Sequence, residues 1–214
     1  MTRLAILFLF SLPFAFVLAL IIAKLSERSK PTFWLYGLTL ILTLCAVYAS
    51  QIGSASPEAD LFFWVFLMVV ALIDYETKTI IDLMIYVGAF LLLFLKVSSG
   101  APLVSQLLGG LVGLAVYGLI YLLARLFYKR EAFGFGDVLF NGAIGLYLGI
   151  HLTLLSSLLT FYVALIAIIL SKVIGKIVNK KNEIAFAPYM AISAFIVSLW
   201  GDAMISMYIQ MIMR

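Results

Sequence analysis

Charged residues are scarce in this chain. Lysine, arginine, aspartate and glutamate make up 11% of its 214 residues, whereas 65% are hydrophobic. A water-soluble domain carries about 25% charged residues and roughly 45–50% apolar ones. So few charges cannot cover a surface that faces water. The composition therefore excludes a soluble protein and predicts that the lipid bilayer solvates the chain.

Cysteine is scarcer still, because Cys45 is the only one in the sequence. A lone thiol excludes an internal disulfide and a zinc site built from four thiolates, so we expect neither a metal nor a cofactor. The net charge is +4, but the basic residues stand in short clusters between apolar runs. That pattern is a topology signal at a membrane surface, and we expect no nucleic-acid partner.

Long apolar runs fill most of the sequence, and each predicts a membrane-spanning helix. Eight segments can be drawn, at about residues 4–23, 32–50, 60–74, 80–97, 106–128, 137–150, 152–171 and 184–210. The sixth and seventh are divided near His151, since roughly 34 apolar residues would form a helix of some 50 Å. The predicted fold is an all-α polytopic bundle of about six to eight helices, with N-terminal membrane helices over 1–59 and a core over 60–214.

The distribution of basic residues predicts the orientation of these helices. With eight spans and the loop 24–31 in the cytoplasm, eleven of the fourteen lysines and arginines lie inside, and Arg3, Lys96 and Arg214 lie outside. We therefore expect a multi-pass protein of the cell membrane, with Asp74 and Asp137 both at its cytoplasmic face.

Two of the aspartates stand at the ends of apolar runs, Asp74 closing the third and Asp137 opening the sixth. A carboxylate at membrane depth is costly unless paired, and it is a functional hypothesis by default. Two neighbouring carboxyl groups share a proton, so one can act as general base on a water and the other as general acid toward a peptide carbonyl. Because Asp137 begins a helix, the helix dipole favours it as the more acidic partner. Two alternatives stay open: a helix cap with a boundary residue, and the ion path of a small transporter.

Three further residues are candidates for a supporting role. Gly134 and Gly136 precede Asp137 and are expected to allow backbone conformations closed to other residues and the close approach of a second backbone. Asp82 opens the fourth apolar run and is predicted to cap that helix, with a hydrogen bond to the aspartate pair as the alternative.

Glycine spacing also predicts helix packing. Gly109 and Gly113 are four residues apart, as are Gly145 and Gly149. This spacing lets the backbones of membrane helices approach closely. We expect both pairs to lie in helix contacts.

Three motifs in order resemble those of the type IV prepilin peptidases, which are membrane aspartyl proteases. The first is Ala71-x-x-Asp74 followed by Ile80-x-Asp82, the second is Gly134-x-Gly136-Asp137 leading into a helix of small residues, and the third lies in residues 183–191. The resemblance implies that Asp74 and Asp137 cleave the leader of prepilin or pseudopilin precursors at the cytoplasmic membrane face, after a glycine. It leaves the substrate-binding residues unassigned.

The chain departs from that family pattern in two respects. Ile81 and Ala185 stand where prolines are usual, and Ala187 stands for a glycine. Many family members also bind zinc through two Cys-x-x-Cys pairs and methylate the new N-terminus, and with Cys45 alone we expect cleavage without methylation. A presenilin-like or signal-peptide-peptidase-like protease, which shares the Gly-x-Gly-Asp motif, is the nearest alternative.

Overall fold

The computed structural model describes residues 56–128, 134–173 and 185–213. Within them the chain forms six helices and no strand, so the predicted all-helical class is confirmed. In chain order the helices are α1 (Pro57–Thr77), α2 (Asp82–Ser98), α3 (Leu103–Tyr128), α4 (Phe135–Leu148), α5 (Ile150–Val173) and α6 (Ala187–Ile212). They correspond to the third to eighth predicted segments. The first two segments lie outside the described residues, and the division into 1–59 and 60–214 stays a prediction.

Three of these helices are long and apolar enough to cross a membrane by themselves, namely α3 over Leu103–Phe127, α5 and α6. Their large apolar side chains are widely exposed, for example Leu111 on α3, Leu158 on α5 and Tyr208 on α6. In water such a surface would be unstable, but lipid tails solvate it. The exposed apolar surface and the helix lengths indicate a multi-pass membrane protein.

Helices α3 and α4 pack backbone against backbone through the two predicted glycine pairs. A Cβ atom added to Gly109 would overlap the Gly145 carbonyl oxygen, and one added to Gly145 would overlap the Gly109 oxygen. Gly113 meets the backbone of Asn141 in the same way, and the Asn141 amide donates to the Gly113 carbonyl over 2.9 Å. The packing role predicted for these glycines is confirmed.

Gly149 separates α4 from α5. It has φ +76°, a conformation that side-chain-bearing residues rarely adopt, and the next helix begins at Ile150. The predicted break near His151 was therefore two residues late, because the glycine conformation ends the helix before its apolar run ends.

Helix α1 packs against α6 and α2, and most of its large side chains are buried. Phe63 and Phe66 face α4, where Phe63 stacks on Tyr147 with ring centroids 3.7 Å apart. Phe66 meets Phe140 edge-on at 5.8 Å. Rings therefore fill the space between α1 and α4, the two helices that carry Asp74 and Asp137.

Candidate active site

Asp74 lies in the last turn of α1 and is buried, with 5% of its surface exposed. The helix continues to Thr77, three residues beyond the predicted end, and the Thr77 hydroxyl donates to the Ile73 carbonyl over 2.8 Å. It stops because Lys78 adopts a left-handed conformation (φ 58°) and donates its N–H to the Asp74 carbonyl over 2.8 Å. This C-cap geometry, which usually selects glycine, leaves the Asp74 side chain pointing into the bundle.

The carboxylate of Asp74 meets the start of α6. The backbone N–H of Ala187, the first residue of that helix, donates to Asp74 Oδ2 over 3.0 Å, and the backbone of Phe186 lies close by. The first N–H groups of a helix have no partner inside it, and Pro188 in the first turn has no N–H at all. An aspartate from a distant helix thus satisfies the N-terminus of α6, and the helix dipole stabilises its charge.

Asp137 is the third residue of α4 and is also buried, with 6% of its surface exposed. Its Oδ2 accepts a hydrogen bond from the Gly134 N–H over 3.1 Å, while its own N–H donates to the Gly134 carbonyl over 3.1 Å. These reciprocal bonds close the first turn of α4. Oδ1 is buried and has no hydrogen-bond partner among the described residues. One oxygen is therefore fixed by the fold, and the other is available to a water or a substrate.

The structure places Asp74 and Asp137 within electrostatic range of each other. The negative charge of Asp74 acts on the Asp137 carboxyl group, although 63 residues separate them in the sequence. Each carboxylate occupies a helix N-terminus, Asp137 that of its own helix and Asp74 that of α6. The dipole argument applies to both, so the expectation that it singles out Asp137 as the more acidic partner is not supported.

The two glycines of the second motif have different structural roles. A Cβ on Gly136 would lie 2.7 Å from the Cβ of Ile80, so this glycine permits the loop after α1 to touch the start of α4. The close approach expected for Gly136 is therefore present, though against a side chain. Gly134 has φ −69° and ψ 155°, which any residue adopts. The special backbone conformation expected for Gly134 was wrong.

Asp82 stands apart from the pair. It is exposed and is the first residue of α2, whose N-cap is Ile81. The predicted cap position was therefore wrong by one residue, because Ile81 keeps an extended conformation and the helix begins after it. Within the described part of the chain no hydrogen bond connects Asp82 to Asp74 or Asp137.

An aromatic cluster beside the pair was missed in the sequence. Tyr117 of α3 is fully buried, and its hydroxyl lies beside Thr160 and within the electrostatic influence of Asp137. The rings of Phe161 and Phe186 pack against it, with centroids 5.8 Å and 6.0 Å away. A single tyrosine in an apolar run gives no signal of this kind. Phe186 lies within the third motif, and this was the one sequence signal that could have led to the aromatic cluster.

The described residues contain no group of three or more histidine, cysteine, aspartate or glutamate side chains that could bind a metal. A profile of the type IV leader peptidase family matches residues 61–175, a range that includes both aspartates. The chain belongs to the type IV leader peptidase family.

Curated members of this family resemble the chain over most of its length. A protein named prepilin leader peptidase/N-methyltransferase from Aeromonas salmonicida is 29% identical over 82% of this chain and 60% of its own length. Proteins of the same name from Aeromonas hydrophila and Pseudomonas putida are 28% and 27% identical, over 80% and 68% of this chain. The matches cover 59% and 51% of those two relatives. No solved structure matches the chain significantly.

Family membership also bears on the alternatives left open by the sequence. The matching profile is that of leader peptidases, which favours a leader peptidase over a presenilin-like protease or a transporter. The third motif, which carried part of the resemblance, provides the N–H groups that bind Asp74.

Proposed function

We propose that this chain is an aspartyl endopeptidase that removes the leader peptide from type IV prepilin or pseudopilin precursors at the cytoplasmic face of the cell membrane. The observation that carries the proposal is the burial of Asp74 and Asp137 at two helix N-termini, within electrostatic range of each other, in a member of the leader peptidase family. The names of the relatives, prepilin leader peptidase/N-methyltransferase, supply the substrate class.

The arrangement supports hydrolysis by a water held between the carboxyl groups. Two buried carboxylates near one another share one proton, so one is ionised while the other carries the proton. The ionised group takes a proton from the water, whose oxygen attacks the scissile carbonyl carbon. The protonated group gives its proton to the carbonyl oxygen. In the resulting gem-diol, the group that took the water proton gives it to the amide nitrogen, and the C–N bond breaks. A hydroxyl proton of the diol passes to the other carboxylate as the new carboxyl group forms, which restores the shared proton.

Backbone hydrogen bonds hold the two carboxyl groups in position for these transfers. The N–H of Ala187 fixes Asp74, and that of Gly134 fixes one oxygen of Asp137. Such bonds need no rearrangement during the reaction, so the groups are already oriented when the substrate arrives. The buried Oδ1 of Asp137 is the atom that we assign to the water or the scissile carbonyl.

The cytoplasmic placement of the site rests on the distribution of basic residues. Lys78 follows Asp74 directly after α1, and Arg125 lies in the last turn of α3, just before the motif that contains Asp137. Both basic residues lie at the same end of the bundle as the two aspartates. Basic residues concentrate on the cytoplasmic side of membrane proteins.

The test is incubation of the purified protein with type IV prepilins in lipid-containing detergent, with mass spectrometry of the products. The wild-type protein should release an intact leader through one cut after a glycine. Asp74→Asn and Asp137→Asn should each reduce the rate by about 10²–10⁴-fold, because neither proton-transfer role survives. Failure of the folded wild-type protein to cut any of several prepilins would contradict the proposal, as would substantial activity in either variant.

A further inference from the structure

A second group of buried polar side chains lies at the end of the bundle opposite to the two aspartates. Asp60 is in the first turn of α1, Lys96 in the last turn of α2 and Tyr147 in the last turn of α4. The Tyr147 hydroxyl donates to Asp60 Oδ1. Lys96 Nζ lies 3.9 Å from the same oxygen and 4.3 Å from the centre of the Tyr147 ring. We refer to these three residues as the distal cluster.

The distal cluster is costly to bury. Asp60 and Tyr147 are 9% and 4% exposed, and ionisable groups within a membrane protein are unfavourable unless they are paired. Apolar side chains of similar volume often replace such a group with no loss of stability. The cost indicates that the cluster has a role beyond holding the helices together.

The helices joined by the cluster are those that carry the proposed catalytic pair. Along α1, Asp60 is fourteen residues from Asp74, or about 21 Å. Along α4, Tyr147 is ten residues from Asp137, or about 15 Å. Helices of this length are stiff. If either helix moved along its axis, its aspartate would therefore move by the same distance.

Besides this bond, aromatic rings make close contacts between α1 and α4. They include the stacking of Phe63 on Tyr147 and the edge-on contact of Phe66 with Phe140. Stacked rings set the distance between two helices but permit small displacements in the ring plane. A hydrogen bond to a carboxylate is directional, so the bond between Tyr147 and Asp60 restrains the end of α4 along the axis of α1.

We infer that the distal cluster is a positioning element for the cleavage reaction, in which the Tyr147–Asp60 hydrogen bond, oriented by Lys96, fixes the register of α1 against α4 and hence the spacing of Asp74 from Asp137. The inference rests on the proposed function for its kinetic consequences. Its structural consequence, the spacing itself, is independent of any activity.

The pH dependence of cleavage reports this spacing. Two carboxyl groups that share a proton titrate in two steps, and the separation of these steps depends on how strongly the groups interact. Besides the pair itself, the facing ionisable groups are Lys78 after α1 and Tyr117 of α3. Helix α6 presents the backbone N–H groups of Phe186 and Ala187. Changes in the distal cluster alter the chemical identity of none of these groups, so a changed profile reports a changed spacing.

The test uses Tyr147→Phe and Lys96→Met in the full chain. Tyr147→Phe keeps the ring that stacks on Phe63 and removes only the hydroxyl. The matched control is Ser198→Ala, which removes the bond that Trp64 Nε1 on α1 donates to Ser198 Oγ over 2.8 Å. That bond joins α1 to α6, so its removal should leave the hydrogen bond between Tyr147 and Asp60 in place.

Kinetic measurements over a pH series should separate the variants. We expect Tyr147→Phe and Lys96→Met to lower kcat about 10-fold or more with little change in KM, since small misplacements of reacting groups cost up to about 10²-fold. The two limbs of the pH–rate profile should move closer together. Ser198→Ala should keep the wild-type limbs. Tyr147→Phe could instead lose activity only in proportion to a lower folded fraction, with both limbs of the pH–rate profile unchanged. That result would overturn the inference.

A distance measurement tests the same inference without activity. In a Cys45→Ser background, spin labels at the exposed positions 75 and 135, beside the two aspartates, should give one narrow distance distribution. Tyr147→Phe should shift or broaden it, and Ser198→Ala should not. An unchanged distribution in Tyr147→Phe would reject the positioning role even for an inactive protein. A changed distribution with no cleavage by the wild-type chain would leave the role standing and refute the proposed function.

Discussion

The side chain of Asp74, on α1, accepts a hydrogen bond from the backbone N–H of Ala187, 113 residues further along the chain, over 3.0 Å. The bond has two effects. It satisfies an N–H group at the start of α6 that has no partner within its own helix, and it fixes the carboxylate beside Asp137. The third sequence motif thus belongs to the same site as the first two.

The proposed pair should behave as one unit in mutational tests. Because both carboxyl groups serve a single proton-transfer cycle, Asp74→Asn combined with Asp137→Asn should be no slower than either single variant. Asp82→Asn should keep measurable activity, since Asp82 is exposed at the start of α2. Cleavage rates of the four variants provide the measurement. Additive losses in the double variant would indicate that the two aspartates act independently.

Gly136 should be intolerant of a methyl group, and Gly134 tolerant. A Cβ at residue 136 would lie 2.7 Å from Ile80 Cβ, whereas the nearest atoms to a Cβ at residue 134 are 3.9 Å away. We expect Gly136→Ala to reduce cleavage about 10-fold or more through misplacement of Asp137. Gly134→Ala should keep nearly full activity.

The double variant Gly136→Ala with Ile80→Gly isolates the steric cause of that loss. Removing the Ile80 side chain removes the overlap, so part of the activity should return. Equal losses in Gly134→Ala and Gly136→Ala would contradict the assignment of the close approach to Gly136.

Helix packing makes Gly145 a determinant of stability. A Cβ there would overlap the Gly109 carbonyl, so Gly145→Ala should destabilise the protein by about 1–3 kcal/mol. Gly118→Ala, on α3, has only Val138 Cγ1 at 3.7 Å and should be neutral or stabilising by up to about 1 kcal/mol, because alanine favours helices. Thermal unfolding in detergent measures both. A stable Gly145→Ala variant would be inconsistent with the backbone contact.

The orientation of the site can be tested by cysteine labelling in a Cys45→Ser background. An impermeant thiol reagent added outside intact cells should label cysteines placed in 51–59. It should not label those in 76–79 or 129–133. The distribution of eleven basic residues inside and three outside motivates this expectation. Outside labelling at 129–133 would place Asp137 at the extracytoplasmic face.

Cleavage without methylation is the last prediction. A zinc site of the kind implied by the resemblance needs four thiolates, and Cys45 is the only cysteine of these 214 residues. We expect the purified chain to process a prepilin without transferring a labelled methyl group from S-adenosylmethionine. A relative with both activities, tested in parallel, is the positive control. Methyl label on the mature N-terminus would show the prediction wrong.

The aspartate pair and the glycine contacts could be predicted because both depend on strong local signals. An acid at the end of an apolar run is costly, and glycines four residues apart indicate close packing. The end of α1 could not be predicted in the same way, because Lys78 adopts a conformation that usually belongs to glycine or asparagine.

Hydrogen-bond partners that are distant in the sequence could not be predicted either. Nothing near Asp60 in the sequence indicates that it binds Tyr147, 87 residues away. The hydrogen bond exists because tertiary packing places the start of α1 within side-chain reach of the end of α4. For the same reason the apolar run containing Tyr117 gave no sign that its hydroxyl would lie near Asp137.

Helix α4 has only 14 residues, and its length of about 21 Å is well below the roughly 30 Å of a hydrocarbon layer. With Gly149 at one surface, Asp137 would lie beneath the headgroups of the other leaflet unless the bilayer thins around it. A precursor would then have to present its cleavage site as extended chain within the membrane. The ease with which that segment stays extended in lipid would therefore decide, together with the residues around the cut, which precursors are processed.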